Sequence, residues 1–204
     1  MCLRQGQQGA TLLATLMMLT VVLLLGTAAA HMALQGEKSA RNDRDRQVAF
    51  HAAEAALLDA ERDIEGGAGA LSSRAHVFES AALDEWAQLP FGSCGTKDEP
   101  ALLGICRAVS EQDVPVWQHV NFLSDGEQMA AVPYGHFTGQ TFQAGVGVLP
   151  ALPPRYLIEF MHDKQAGMDA ARSAYLFRIT AIGFGVRAST QVVLQTFHRK
   201  SAMR

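Results

Sequence analysis

The sequence lacks the motifs by which enzymes and nucleic-acid-binding proteins are usually recognised. It has no G-x-S-x-G elbow and no P-loop lysine motif. Its net charge is −3, and no basic run is long enough to follow a phosphate backbone. Histidines such as His76, His119, His136 and His162 lack the close spacing to cysteine or acidic partners that metal sites show. We therefore expect no catalytic residue, no metal site, no bound cofactor and no nucleic-acid partner.

Charge is also absent from residues 9–36, which contain no Asp, Glu, Lys or Arg. The densest apolar part, residues 10–30, is long enough for a helix to cross a hydrocarbon core of about 30 Å. Arg4 precedes it without an acidic residue, which indicates that the N-terminal end is cytoplasmic and the rest is exported. We predict that residues 10–36 are the transmembrane half of an N-terminal helix.

Two processing sites fit this N-terminus. Ala28, Ala29 and Ala30 form a small-residue signal-peptidase motif, and cleavage there would release a soluble periplasmic enzyme or binding protein starting at His31. Alternatively, residues 1–9 form a short leader ending in Gly9, with the apolar segment retained after cleavage before Ala10. The second reading predicts a helix that continues beyond Ala30.

Residues 37–65 favour that continuation, since they contain no proline and are rich in good helix formers. Apolar residues recur at helical spacing and predict a stripe that packs the helix on an exported head. The predicted stripe consists of Ala49, Phe50, Ala53, Ala56, Leu57, Ala60 and Ile64. Gly66 and Gly67 are then expected to end the helix. Cleavage after Ala30 would divide this helix, so the leader ending in Gly9 is favoured.

A charged segment precedes the stripe. Glu37, Lys38, Arg41, Asp43, Arg44, Asp45 and Arg46 make up most of its polar residues. Acidic and basic residues nearly balance, and such segments seldom mark a ligand site. We therefore interpret the whole segment as a solvated helix surface with weak pairs such as Glu37 and Arg41.

Cysteine is scarce. Cys2 lies in the proposed leader, which leaves Cys94 and Cys106 in the exported part. An oxidising periplasm favours a disulfide between them, worth about 3 kcal/mol under the chain-entropy model. Two buried free thiols are the alternative.

Residues 66–204 are expected to form the periplasmic head. Residues 81–89 predict a short helix, and residues 116–122 a short strand. Residues 155–162, 174–182 and 190–198 alternate partially and predict a three-stranded antiparallel meander, with Gly183 and Gly185 in the last connection. The fold class is therefore α+β, with a long helix packed on a small antiparallel sheet. We expect Trp86 and Trp117 to be core residues rather than contact residues.

The chain resembles the PilX family of minor pilins and pilus-assembly proteins. The segments that carry the resemblance are RQGQQGATLLATLMMLTVVLLLG at the start and RDRQVAFHAAEAALLDAE from Arg44 to Glu61. The resemblance implies a type IV pilin-like fold, no enzymatic activity, and cleavage by prepilin peptidase between Gly9 and Ala10. It also implies that Ala10 becomes the N-methylated first residue of a subunit located in the inner membrane and the pilus.

The resemblance further implies a role in twitching motility through pilus assembly, with other minor pilins, the assembly machinery and a tip adhesin as partners. Many pilins carry a glutamate five residues into the mature chain, and here that position is Ala14. An ammonium without a counter-charge in an apolar filament core is costly. We therefore expect a role in initiation at the tip, while a pseudopilin of a type II secretion system is the nearest alternative.

Overall fold

The computed structural model describes residues 10–66, 73–110, 112–126, 129–162 and 175–200. Gly9, Gly67 and Ala174, which entered the predictions above, lie outside these ranges. The chain forms two compact units, Met1–Arg44 and Asp45–Arg204, and we call the second the head unit. Helix α1, Ala10–Glu65, contributes residues to both.

Helix α1 continues without a break through Ala30, as the favoured reading predicts. It ends where Gly66 adopts a φ of 79° and donates its backbone N–H to the carbonyl of Arg62. Glycine takes this left-handed conformation without the steric penalty of a Cβ, which makes it a suitable residue just past a helix end.

In its described ranges, the head unit contains one further α-helix, three short 3-10 helices and five strands. The helical elements are α2 at Ser80–Trp86 and 3-10 turns at Ala75–Phe78, Pro100–Leu102 and Val116–Gln118. The strands are β1 at Ile105–Arg107, β2 at Val132–Pro133, β3 at Arg155–His162, β4 at Tyr175–Phe184 and β5 at Gln191–His198.

The strands form one sheet in the order β1-β3-β4-β5, with β2 also paired to β3. The predicted antiparallel meander is confirmed, because β3 pairs antiparallel with β4, and β4 with β5. The sheet as a whole is mixed rather than purely antiparallel, since β1 runs parallel to β3 and aligns Ile105 with Ile158. This pairing joins strands about fifty residues apart, which local sequence pattern does not encode.

The main core lies between α1 and one face of the sheet. Tyr156, Ile158 and Phe160 of β3 alternate onto this face and are buried, in keeping with the period of two in a strand. Ala56, Ala60 and Ile64 of α1 belong to the same cluster. The opposite face of the sheet has a smaller core that includes Leu157, Phe184 and Val116.

The disulfide joins Cys94 to Cys106 of β1. It fixes the segment before the 3-10 turn at Pro100–Leu102 against the sheet edge, where Gly95 donates its N–H to the carbonyl of Ile105. Trp86 and Trp117 are half-buried, and each packs against one of the two cores, so both act mainly as packing residues.

Three local predictions need correction. Residues 116–118 form a 3-10 turn rather than a strand, because Gln118 and His119 donate back to Pro115 and Val116. Gly183 lies within β4, paired with Val192, and not in the connection after it. Phe50 is 39% exposed, because the buried face of α1 is turned away from it towards Ala52.

Candidate functional site

The part of α1 that lies in the first unit is exposed, and it is uncharged up to Gly36. Every described residue from 10 to 44 is exposed, and the helix is long and apolar enough to cross a membrane. Three of its hydroxyls are satisfied locally, since those of Thr15, Thr20 and Thr27 donate to carbonyls three residues earlier, at 2.8–2.9 Å. A helix whose polar groups are bonded internally is suited to an apolar medium that offers no water.

Two predicted site residues lie in this half. Ala10 is the first residue of α1, and Ala14 follows about one turn later. Both are exposed. The described part of the chain before residue 37 contains no carboxylate, so this segment carries no acid that would pair with an amine at the start of a neighbouring helix.

In the head unit, α1 is held by a different set of residues. Its buried face combines small apolar residues with three aspartates, Asp45, Asp59 and Asp63. Ala49, Ala53, Ala56, Ala60 and Ile64 of the predicted stripe are fully buried, and Leu57 is half-buried against the core. Each aspartate bonds to a different part of the head unit, so the helix is fixed at three points along this face.

Asp45 bonds to the connection between β4 and β5. Thr190 Oγ1 donates to its Oδ2 at 2.6 Å, and Arg187 Nε donates to the same oxygen at 3.0 Å. Burial alone would raise the pKa of Asp45, but the bonds from Thr190 and Arg187 outweigh it and lower the pKa from 3.8. Asp45 is thus a buried anchor and not part of a solvated segment, which corrects the interpretation above.

Asp59 bonds to the turn that follows β2. The backbone N–H of Gly135 donates to its Oδ2 at 2.7 Å, and the hydroxyl of Thr138 donates to its Oδ1. Burial is the largest influence and raises the pKa of this carboxyl, with a smaller upward contribution from the neighbouring charge of Asp63. The hydrogen bonds to Asp59 therefore offset the cost of burying its carboxylate less completely than those to Asp45 do.

Asp63 forms the most enclosed anchor. Arg74 donates from Nε and Nη2, the latter at 2.6 Å, and the hydroxyl of Tyr156 adds a bond at 2.9 Å. Burial is the main reason that the pKa of Tyr156 is raised, so the phenol stays protonated and donates. Both members of the ion pair have side chains no more than 2% exposed.

Arg74 also reaches the disulfide loop. Its Nη1 donates to the carbonyls of Leu103 at 2.5 Å and Ala101 at 3.1 Å, and its guanidinium lies 3.6 Å from the ring centre of Phe137. One arginine thereby connects α1 to the loop closed by Cys94 and Cys106. This connection uses nearly all its donors, as a buried guanidinium requires.

Close backbone approach completes the contact of α1 with the sheet. A Cβ on Gly183 of β4 would collide with the backbone carbonyl of Ala49 and the amide of Ala53. The small residues of the stripe and this glycine therefore allow the helix to lie directly on the strand.

The sequence prediction missed the three aspartates, although a signal was present. Asp45, Asp59 and Asp63 recur in phase with the alanines, at positions that a helix turns to the same side. An acidic residue in phase with a small-residue stripe is ordinarily assigned to the polar boundary. Only the partners, Thr190, Thr138 and Arg74, make these positions suitable for burial.

No groups of His, Cys, Asp and Glu that would hold a metal ion occur within the ranges that the structure describes. Glu159 is fully buried, but it is paired across the strands with Arg178, at 2.6 and 2.8 Å. The polar clusters of the head unit thus serve to join its elements.

Two family models match the chain. The model described as PilX N-terminal matches residues 8–58, which include the apolar half of α1 and most of its buried face. The model described as Type IV pilus assembly protein PilX C-term matches residues 102–200, which contain all five strands. No curated protein and no solved structure matches the chain. Taken with the long apolar helix and the pilin-like α+β head, these matches show that the chain belongs to the PilX family of type IV pilus assembly proteins.

Proposed function

We propose that this chain is a non-enzymatic minor pilin that initiates assembly of a type IV pilus, at the tip and together with other minor pilins. Its family gives the pilus assembly role. The observation that carries the finer proposal is the uncharged, exposed segment of α1 before residue 37, which includes Ala14. We infer that this segment anchors the subunit in the membrane and later lies in the filament core. It lacks the carboxylate that a subunit would need, at each repeated position along the filament, to pair with the N-terminal ammonium of its neighbour.

The proposed topology follows from the same helix. Residues 1–9 act as the leader, residues 10–36 span the inner membrane, and the remainder extends into the periplasm. Prepilin peptidase cuts between Gly9 and Ala10, and Ala10 becomes the methylated N-terminus. The unbroken course of α1 through Ala30 supports this processing, since a cut there would remove over a third of the helix.

N-terminal sequencing and mass measurement of the mature protein test the processing directly. We expect the mature chain to begin at Ala10 with one added methyl group. A start at His31 would contradict the proposal and favour a soluble periplasmic protein, which membrane fractionation would then detect. Gly9→Leu supplies the matched variant, because a bulky residue before the cut should leave the precursor unprocessed.

Gene deletion distinguishes the pilus role from the related role in protein export. We expect deletion to abolish surface pili and twitching motility while secreted exoproteins are unchanged. The reverse result, loss of exoprotein secretion with normal pili, would identify a pseudopilin of a type II secretion system. Complementation with the Gly9→Leu variant should fail in either case, which ties the phenotype to processing.

Ala14→Glu tests the tip position. A carboxylate at this site offers a partner to the N-terminal ammonium of a neighbouring subunit, and buried charges need such pairing. We expect the copy number of the Ala14→Glu variant in sheared pili to exceed that of the wild type, while Ala14→Gln leaves it unchanged. An unaltered copy number for Ala14→Glu would show that Ala14 does not restrict the position of the subunit.

A further inference from the structure

A loop before β3 presents exposed apolar side chains. Gly145 donates its backbone N–H to the carbonyl of Pro150 at 2.8 Å, which closes the loop at its base. Between them, Val146 is 100% exposed and Val148 is 63% exposed. Gly145 and Gly147 have φ angles of 126° and 107°, and a Cβ on either would meet nothing within 4 Å in the part of the chain that the structure describes. The loop therefore projects both valines into the surroundings of the head unit.

Polar groups are scarce in and around this loop. Residues 129–154 contain no Asp, Glu, Lys or Arg, and residues 144–154 consist only of Ala, Gly, Val, Leu and Pro. Interfaces between proteins carry about one hydrogen bond per 100–200 Å² of buried area, and Trp, Tyr and Arg supply much of their affinity. A loop without a polar or aromatic side chain offers none of these contacts. It is better suited to an apolar medium that requires no specific partner.

The loop lies at the end of the head unit where α1 enters it. Ala151, which follows the loop, donates its N–H to the carbonyl of Gly185 at 2.7 Å. Gly185 in turn lies directly against Asp45, since a Cβ on this glycine would collide with the carboxylate and the carbonyl of Asp45. Asp45 is the first residue of the head unit. Leu152 and Val186, next to these contacts in the chain, are both 38% exposed and extend the apolar surface.

This end of the head unit is tethered closely to the proposed membrane span. Gly36 ends the uncharged segment, and Asp45 follows nine residues later in the same helix, which corresponds to about 14 Å along its axis. Three residues separate Val148 from Ala151, and an extended chain of that length spans about 10 Å. The headgroup layer of a bilayer is about 5–8 Å thick on each side. The valines can therefore reach the lipid interface.

Charged side chains at this end do not oppose contact with lipid. Arg187 is paired with Asp45, with Nε 3.0 Å from Oδ2, and Arg155 at the start of β3 is paired with Asp125. Each pair is neutral as a whole. The two pairs thus add no net negative charge that anionic headgroups would repel.

We propose that the loop of residues 144–152 inserts its valines into the lipid interface of the membrane that anchors α1, so that the head unit rests on the bilayer before the subunit enters a pilus. Burial of apolar side chains at this depth is how peripheral segments bind membranes, and the strength of binding grows with the apolar area buried. The proposal rests on the membrane anchor and the export of the head unit proposed above, and it adds a second contact with the same membrane.

Quenching by nitroxide-labelled lipids tests this contact. The full chain, carrying Cys2→Ser, is reconstituted in vesicles of phosphatidylethanolamine and phosphatidylglycerol, and a fluorophore is attached to one introduced cysteine. We expect the label of Val148→Cys to be quenched about threefold more than that of Leu58→Cys, an exposed position further along α1. Val22→Cys, within the proposed span, is the positive control.

Val146 provides a matched pair of variants in the Val148→Cys chain. Val146→Asp places a charge at the exposed part of the loop and should reduce quenching at residue 148 to the level at residue 58, whereas Val146→Leu should retain it. Because the side chain of Val146 is fully exposed, neither variant should shift the urea midpoint of unfolding, which verifies that the head unit remains folded.

Three results would overturn the proposal. These are equal quenching at residues 148 and 58, quenching at residue 148 that Val146→Asp leaves unchanged, and a concentration-dependent blue shift at residue 148 without quenching by lipid. The last would identify a second copy of this chain as what covers the loop.

The positive control separates this proposal from the function on which it rests. Lack of quenching at residue 22 would contradict the membrane anchor itself, and the loop contact with it. Quenching at residue 22 without quenching at residue 148 would overturn the loop contact alone. Neither result depends on prepilin cleavage or on pili, so both are distinct from failure of the processing and deletion tests.

Discussion

The two halves of α1 have the same backbone conformation but opposite side-chain requirements. Before residue 37 the helix has no charged residue, and the hydroxyls of Thr15, Thr20 and Thr27 donate to carbonyls of the helix itself. From Asp45 onward, its buried face combines small apolar residues with three aspartates that bond to distant parts of the head unit. The first half is thus suited to an apolar medium. The second half is suited to burial against the residues of the head unit that bond to its aspartates.

The largest loss of stability is expected from breaking the ion pair of Asp63 with Arg74, which is the most enclosed contact of the second half of α1. Asp63→Ala leaves the guanidinium of Arg74 buried without its counter-charge, which should lower the free energy of unfolding by about 3–5 kcal/mol. Urea unfolding followed by the fluorescence of Trp86 and Trp117 measures this. The double variant Asp63→Leu with Arg74→Met should recover most of the loss, and equal instability of both variants would contradict the charge-based explanation.

A smaller loss of stability is expected from a substitution at the contact between α1 and β4. Gly183→Ala places a methyl group against the backbone of Ala49 and Ala53 and should lower the free energy of unfolding by about 1–3 kcal/mol. Gly126→Ala is the matched control, because a Cβ there meets nothing within 4 Å. Equal stability of the two variants would show that the close approach of helix and strand is not required.

Asp45 and Asp59 should respond to pH in opposite directions. The pKa of Asp45 is lowered in the fold, so its contribution is present above its ordinary pKa of 3.8 and is lost as pH falls through the folded value. The pKa of Asp59 is raised, so its contribution is present at low pH and is lost as pH rises from 3.8 through the folded value.

Unfolding measured between pH 2.5 and 6 for Asp45→Asn and Asp59→Asn checks this comparison. As pH falls, the stability advantage of the wild type over Asp45→Asn should shrink, and its advantage over Asp59→Asn should grow. The same trend for both variants would show that the two anchors do not differ in the way their surroundings indicate.

The smallest change in the free energy of unfolding is expected for a substitution outside the head unit. Glu37 and Arg41 form an exposed pair one helical turn apart. Exposed pairs of this kind contribute only a few tenths of a kcal/mol. Arg41→Ala should therefore change the free energy of unfolding by less than about 0.5 kcal/mol, and a loss comparable to that of Asp63→Ala would mean that the pair is not simply solvated.

Much of the fold was predictable because it follows from local pattern. Each local pattern predicts a single helix or strand. Examples are the absence of charge in residues 9–36, the helix-forming run to Glu65 and the alternation in residues 155–162. The parallel pairing of β1 was not predictable, since three residues, Ile105–Arg107, carry no pattern strong enough to identify a distant partner.

The sequence by itself determined that a long helix has an apolar first half and that a meander ends the chain, because periodicity and charge are local properties. The tertiary structure decided which face of the second half is buried. Asp45, Asp59 and Asp63 take up inner positions while Phe50 is exposed, because burial of a carboxylate depends on partners such as Arg74 and Thr190 that only folding brings to it.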